Sequence, residues 1–568
     1  MTGRAAPRFI DLYTPKLITV LREGYDLRDL HADAIAALTV AIVALPLSMA
    51  IAIASGVGPE RGLYTAIVGG FVVSLLGGSR FQIGGPAGAF IVLIAATVAR
   101  HGVDGLILAT ILSGFILMAV GFLRLGTFIK YIPFPVTVGF TSGIAVIIAA
   151  SQLRDLFGLQ LDGREPPEFL PKLEALFAAA GTVNWTALSL AAGAIVIIAL
   201  LRCHRPNWPA YLIAVAGAAA AAAALALPVE TIGARFGELP HAPPWPSLPP
   251  VTLERIAAVL PDAVAFALLG GIESLLSAVV ADTMTGRRHR SNAELVAQGA
   301  ANIASGLFGG IPVTGTIART ATNVRAGARG PVSGMLHAAF LLLFMLIAAP
   351  LASYIPLASL AAVLIMVAWN MAEKHEFATL VRASPGDAVV LLATFLLTIF
   401  YDLMTGIVVG FSLGALLFLH RLAEDVRVEH RLPDTLGDAP DTQAERYDAA
   451  LAADPDIAVF RISGAFFFGA AASVAAALDR IAAQPRFYVI DFSAVPLLDS
   501  SAAATIASFA RRAERRGARV VITGAQRSVL RVLLRHGVRR PHALFRATLE
   551  EGVAAAQRAI SASVGSNR

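Results

Sequence analysis

Gly84-Gly85-Pro86-Ala87-Gly88-Ala89-Phe90 and, far downstream, Gly309-Gly310-Ile311-Pro312-Val313-Thr314-Gly315-Thr316-Ile317-Ala318-Arg319 break two apolar segments at corresponding places in the two halves of the chain. Each break is followed by a helix-compatible run too short to cross a bilayer alone. A broken helix in lipid leaves backbone groups unpaired, so it persists only where it is buried in protein or lines a cavity. Matched breaks in two halves point to a central binding site of a transporter. The helix N-termini that follow such breaks offer free N–H groups and partial positive charge, which suits an anion.

Composition agrees with a membrane protein. The chain is 57% hydrophobic and 15% charged, with a mean hydropathy of +0.71; soluble domains carry roughly a quarter charged residues. Apolar runs of spanning length recur at about 30–55, 61–77, 86–99, 104–122, 131–151, 184–201, 208–227, 256–281, 292–308, 316–328, 331–350, 355–372, 386–402 and 404–421. The basic residues fall in alternate loops: Arg124 and Lys130, Arg202 and Arg205, Arg287, Arg288 and Arg290, Arg325 and Arg329. The intervening loop at 152–183 holds five acidic residues against three basic ones. This asymmetry predicts cytoplasmic termini and reads the net charge of +6 as topology, not nucleic-acid binding. Fourteen segments divide into two sevens, and seven is odd, so the halves form inverted repeats with the breaks in the third segment of each.

The expected organisation is a cytoplasmic segment at 1–29, a transmembrane domain at 30–421, a linker at 422–455, a cytoplasmic α/β domain at 456–560 and a tail at 561–568. Within the α/β part, 457–462, 487–492 and 519–523 read as buried strands between alanine-rich helices. No cleavable signal is visible in the first thirty residues, and the single Cys203 lacks the companions of a disulfide or metal site. No catalytic constellation, metal site or cofactor motif is expected.

Two charged residues stand out in the apolar segments. Glu273 lies mid-segment in Gly270-Gly271-Ile272-Glu273-Ser274-Leu275-Leu276-Ser277, with Ser277 one turn on along the same face. An ionised carboxylate there is costly, so Glu273 reads as a proton carrier during transport, or else as a neutral acid bonded between helices. Arg319 stands in the first turn of the helix after the second break, where a cation is disfavoured unless an anion compensates it. The substrate or Glu273 would supply that charge. Asp282, Glu294 and Asp402 lie near segment ends and read as solvated.

The motifs carry a resemblance. Gly62-Leu63-Tyr64, Gly69-Gly70, Gly77-Gly78-Ser79, both breaks and Glu273-Ser-Leu-Leu-Ser resemble the SulP anion-transporter family. Val489-Ile490-Asp491-Phe492-Ser493 and Asp499-Ser500-Ser501 resemble its C-terminal STAS module. The resemblance implies a polytopic α-helical fold of fourteen transmembrane segments in a seven-plus-seven inverted repeat, divided into core and gate, with a cytoplasmic STAS domain. It further implies a homodimer in the plasma membrane (the bacterial inner membrane), surrounded by lipid and working as an elevator. The substrate site carried over is Leu47, Ile51, Gly88, Ala89, Phe90, Ser277, Thr316, Ile317, Ala318 and Arg319, with Glu273 as the coupling group. Sodium-driven bicarbonate members resemble Asp-Ser-Leu-Leu-Thr where this chain has Glu273 and Ser277, which favours protons over sodium and uptake of a C4-dicarboxylate such as fumarate or succinate. Sodium-coupled or exchange transport of bicarbonate, sulfate or chloride, an uncoupled channel and a STAS-signalling receptor are the alternatives. Ser500 occupies the position phosphorylated in some soluble STAS relatives, although Asp and Ser also favour a helix cap there.

Overall fold

The computed structural model describes residues 12–126, 133–161, 163, 165–166, 168–205, 208–430, 456–479 and 485–565. Lys130, residues 1–11 and residues 431–455 of the expected linker lie outside that set. The chain divides into two compact units, Met1–Ser412 and Leu413–Arg568.

Between residues 27 and 424 a helix answers each apolar segment, the last of them passing from the first unit into the second. In chain order they are α1 (Leu27–Ala54), α2 (59–76), α3 and α4 (together Gly88–Phe122), α5 (Phe134–Phe157), α6 (Trp185–His204), α7 (Ala210–Ala224), α8 (Leu253–Thr285), α9 (Ser291–Leu307), α10 (Ile317–Arg325), α11 (Val332–Ala352), α12 (Leu357–Met371), α13 (Pro385–Phe400) and α14 (Leu403–Glu424). Among the described residues, eight helical stretches are long and apolar enough to cross a bilayer by length and composition. α3 and α4 run on without a loop and are separated by a single residue, Gly102, at φ +69° and ψ −174°. α2 is not uniform: a π turn at Thr65–Gly69 separates Pro59–Tyr64 from Gly70–Leu76.

Local chemistry explains the boundaries. Asp26 caps α1 by accepting from the amides of Arg28 and Asp29, and Asp29 returns the favour to the Asp26 amide. Pro46 sits inside α1, where it removes one amide donor and disturbs the ladder just before Leu47.

The helices pack in two sets. α3, α4, α8, α9 and α10 gather with α1, α2 and α11, whereas α5 packs on α12 and α13, and α6 on α7 and α12. The first set is held by close backbone approach. A Cβ on Gly114 of α4 would fall 2.5 Å from the Gly299 oxygen of α9, and one on Gly299 would fall 2.5 Å from the Gly114 oxygen. In lipid, where water does not drive helices together, such van der Waals contact is the main cohesion. α6 is the opposite case: its apolar window has a mean hydropathy of 2.1 but is only 22% buried, so it presents its hydrocarbon outward.

The second unit is an α/β sandwich. A five-stranded sheet runs β3 (Arg427–His430), β4 (Ile457–Ser463), β5 (Phe487–Ala494), β6 (Arg519–Thr523), β7 (Ala543–Arg546) in spatial order, with β3 antiparallel and the rest parallel. β3 occupies residues read from sequence as linker. Strands buried on both faces read as continuous apolar runs, which is why the three central ones were legible. Phe460, Ile490 and Phe492 face α15 (Phe468–Asp479), α16 (Ser500–Arg515) and α17 (Arg527–Arg535); Val459, Val489 and Val521 face α18 (Leu549–Gly565).

Candidate functional site

The two breaks meet. Gly84–Gly85 (β1) pairs antiparallel with Thr314–Gly315 (β2), Gly84 opposite Gly315 and Gly85 opposite Thr314. The Thr316 amide extends the pairing by donating to the Ile83 oxygen at 3.0 Å. The broken backbone is thus satisfied across the repeats, as burial in a membrane domain requires. Side chains complete the task around the second break. Asn302 accepts from the Val313 amide (3.0 Å) and donates to the Val313 oxygen (2.8 Å). Thr65, in the π turn, accepts from the Ile311 amide at 2.7 Å, and Arg61 donates to the Gly309 oxygen at 2.7 Å. Thr314 donates to the Gly270 oxygen of α8 at 3.0 Å.

From this crossing the two short helices diverge, and their first turns border a cavity of about 380 Å3. Ala87 precedes the turn Gly88–Phe90 and Thr316 precedes α10, and neither supplies a side-chain cap. The Thr316 hydroxyl contacts the Ile83 oxygen instead. First-turn amides therefore stay available to an anion. The remaining wall is mostly apolar, with Val40, Leu47, Ile51 and Ile272 on one side and Phe140, Tyr211, Met371 and Ile407 on the other.

Glu273 and Arg319 both line this cavity. Arg319 is 2% exposed, and its Nη2 donates to Ser48 Oγ (3.2 Å) and to the Pro86 oxygen (3.3 Å), while its Nε and Nη1 have no partner. Glu273 Oε2 is also buried without a partner. No ion pair within 4.0 Å joins the two among the described residues, yet each feels the other's charge. A guanidinium with spare donors and a carboxyl with spare acceptor capacity thus share one small chamber.

Of the residues expected at the site, Leu47, Ile51, Gly88, Ala89, Glu273, Thr316, Ile317, Ala318 and Arg319 line the cavity. Phe90 and Ser277 do not. Phe90 is 1% exposed and packs edge-on to Phe266 with ring centroids 5.9 Å apart. Ser277 donates to Thr320 Oγ1 at 3.0 Å, and that oxygen also accepts from the Ile83 amide. Both support the crossing from behind. Glu294, read as solvated, is fully buried: it accepts from the amides of Gly78 (2.8 Å) and Ser79 (3.0 Å) and from Gln298. The reason is that α9 packs along α2, so its start is covered. Glu294, Gln298 and Asn302 repeat every four residues, a polar stripe on one helix face that is the sequence signal of this buried support. In the second unit Asp499 caps α16 by accepting from the Ala502 amide, and Ser500 is exposed at the first helical position.

Comparison with known proteins settles the family. The Sulfate permease family model matches residues 30–394, and the STAS domain model matches residues 448–552. The chain belongs to the sulfate permease (SulP) family. This SulP protein is 38% identical over 518 residues to the putative sulfate transporter YvdB of Bacillus subtilis, covering 91% of this chain and 95% of the relative. It is 30% identical over 517 residues to the bicarbonate transporter BicA of Picosynechococcus, covering 88% and 89%. Its fold is that of the murine Solute Carrier 26 family member A9 anion transporter in the inward-facing state, with a TM-score of 0.84 over 98% of this chain and 96% of that one at 17% identity. The SulP protein is accordingly a multi-pass membrane anion transporter with a C-terminal STAS domain, and its relatives are transporters, not enzymes.

Proposed function

We propose that this protein is a proton-coupled symporter that takes up a small organic dianion, a C4-dicarboxylate such as fumarate or succinate. The observation that carries the reading is the shared chamber of Arg319 and Glu273, each with unpartnered polar atoms, between two uncapped helix N-termini. Charge balance gives the coupling. Arg319 contributes one positive charge and the two N-termini about half a charge each, while Arg202 and Glu373, which also line the cavity, offset one another. A dianion neutralises that sum only when Glu273 carries a proton; with Glu273 ionised, the chamber holds an unbalanced charge in a low-dielectric site, which is costly. The mainly apolar wall favours an anion with a hydrocarbon segment between its charges.

In this reading the first-turn amides at Gly88, Ala89, Ile317 and Ala318 and the Arg319 guanidinium receive the carboxylates, Leu47 and Ile51 wall them, and Phe90 and Ser277 hold the crossing. Fourteen crossings, cytoplasmic termini in the plasma membrane, a homodimer and an elevator movement of the first helix set against the second complete the proposal. Boundaries near 30–421 for the membrane part and 456–560 for STAS belong to it too. A second reading, transport of sulfate or bicarbonate, draws on the names of the relatives at 38% and 30% identity.

The test is uptake into proteoliposomes under an inward proton gradient, with labelled fumarate, succinate, sulfate and bicarbonate. Gradient-driven uptake of a dicarboxylate, made independent of pH by Glu273→Gln, is the expected result. Uptake of sulfate or bicarbonate alone moves the second reading to first place. Unchanged pH dependence in the variant removes Glu273 from coupling.

A further inference from the structure

From Arg515 to Leu549 the chain has nine arginines and no aspartate or glutamate. α17 concentrates them. Arg527, Arg531 and Arg535 recur every four residues, which puts them on one helix face, and all three are exposed. On the opposite face Val529 and Leu533 are buried in the STAS core. Beside the arginine stripe Leu534 is 43% exposed. Arg539, Arg540 and Arg546 continue the basic surface around a concavity of about 420 Å3 that Leu534 and Phe545 also line. Among the described residues, Arg527, Arg531, Arg535, Arg539 and Arg540 form no ion pair. So many unpaired like charges repel one another in the isolated domain, and an anionic partner relieves that repulsion.

We propose that this arginine face is a docking surface for anionic phospholipid headgroups. Three features select a bilayer over other polyanions. With Val529 and Leu533 turned into the domain core, the arginine stems and the exposed Leu534 are what this face offers a lipid–water interface, carbon toward lipid and guanidinium toward headgroup phosphate. Only Asp425 and Val426 separate α14 from β3, so the domain is tethered to a membrane helix and meets lipid headgroups at high effective concentration. Phe545 is the only Phe, Tyr or Trp in the basic run, which leaves little for nucleic-acid bases to stack on. Docking goes beyond transport: it makes the position of the STAS domain responsive to lipid charge and ionic strength.

The test uses the full chain in nanodiscs. Cys203, the single cysteine and exposed, is replaced by serine, and Ser528→Cys on the exposed side of α17 carries a fluorophore. Discs contain phosphatidylcholine with a trace of headgroup-nitroxide lipid, with or without phosphatidylglycerol. Quenching is expected in the anionic discs at low salt and should vanish at high salt. Replacing Arg527, Arg531 and Arg535 by glutamine is expected to weaken docking about a hundredfold, with the thermal transition of the protein unchanged. Equal quenching in neutral discs, or full quenching in the triple variant, overturns the proposal. A response of the fluorophore to ATP or to a short RNA in neutral discs, with none to phosphatidylglycerol, assigns the surface to a soluble polyanion and overturns it equally.

Discussion

Gly85→Ala is a small change with a large expected effect, because the new methyl group points at the Arg319 guanidinium. A Cβ at this position would lie 2.1 Å from Nη1 and 3.3 Å from Cζ. Ordinary van der Waals contact begins at 3.4 Å, so Nη1 must retreat by about 1.3 Å. The obstacle is the far end of a flexible side chain, which can move while the backbone stays, so the fold should survive. The Nη2 bonds to Ser48 and Pro86 have no slack to absorb that movement, since at 3.2 and 3.3 Å they already lie at the long end. A charged hydrogen bond is worth about 1.5–3 kcal/mol, and misplacing a positioning group by an ångström costs roughly a hundredfold. The expectation is therefore a KM for anion uptake raised about a hundredfold in a protein that still folds, its thermal transition lowered by the loss of the Nη2 bonds. Gly193→Ala, in α6 and outside the cavity lining, is the control: its Cβ meets nothing within 4 Å, and uptake should stay near normal. Proteoliposome uptake over a range of anion concentrations reads both. Wild-type KM in Gly85→Ala would show that the observed guanidinium position is not what binds the anion.

Three further perturbations address the scaffold. Gly299→Ala drives a methyl to 2.5 Å from a backbone oxygen of α4 and should destabilise the membrane unit by about 1–3 kcal/mol, seen as a lower melting temperature in detergent, whereas Gly217→Ala, with nothing within 4 Å, should not lower it. Asp499→Ala removes acceptors from the amides of Ala502 and Phe468 and should lower the STAS transition by about 1 kcal/mol. The hydrogen bond from Arg235 holds the Glu230 carboxyl below its ordinary value of 4.5. Its stabilisation is then complete above pH 4.5 and is lost as pH falls through the lower folded value; Glu230→Gln should flatten the acid limb of a melting-temperature profile.

The sequence made the helices legible because lipid imposes a simple rule, long apolar runs between charged loops; the eight long stretches follow it, and the short α10 was marked instead by the break before it. It made the breaks legible because glycine and proline cannot be hidden in an apolar run. Glu273 and Arg319 announced themselves as charges in the wrong solvent. What escaped was the support behind them. Thr65, Asn302 and Thr320 are ordinary in composition, and only the crossing of β1 and β2 gives their hydroxyls and amide a task. Glu294 escapes because nearness to a segment end does not mean nearness to water, and the packing of α9 on α2 decides that question. Phe90 illustrates the converse: a residue in the right motif can turn its ring to the core while its neighbours Gly88 and Ala89 face the cavity.

The pairing of Gly84–Gly85 with Thr314–Gly315 also has a consequence for biogenesis. The partners are separated by roughly 230 residues. At synthesis rates of about 5–20 residues per second, the second strand leaves the ribosome some 10–50 s after the first. Throughout that interval the N-terminal half sits in the translocon or bilayer with its broken segment lacking the strand that completes it. The nascent half-transporter must keep that segment wetted or shielded until its counterpart arrives, so truncated chains ending before residue 314 should be poor insertion products and ready substrates for membrane quality control.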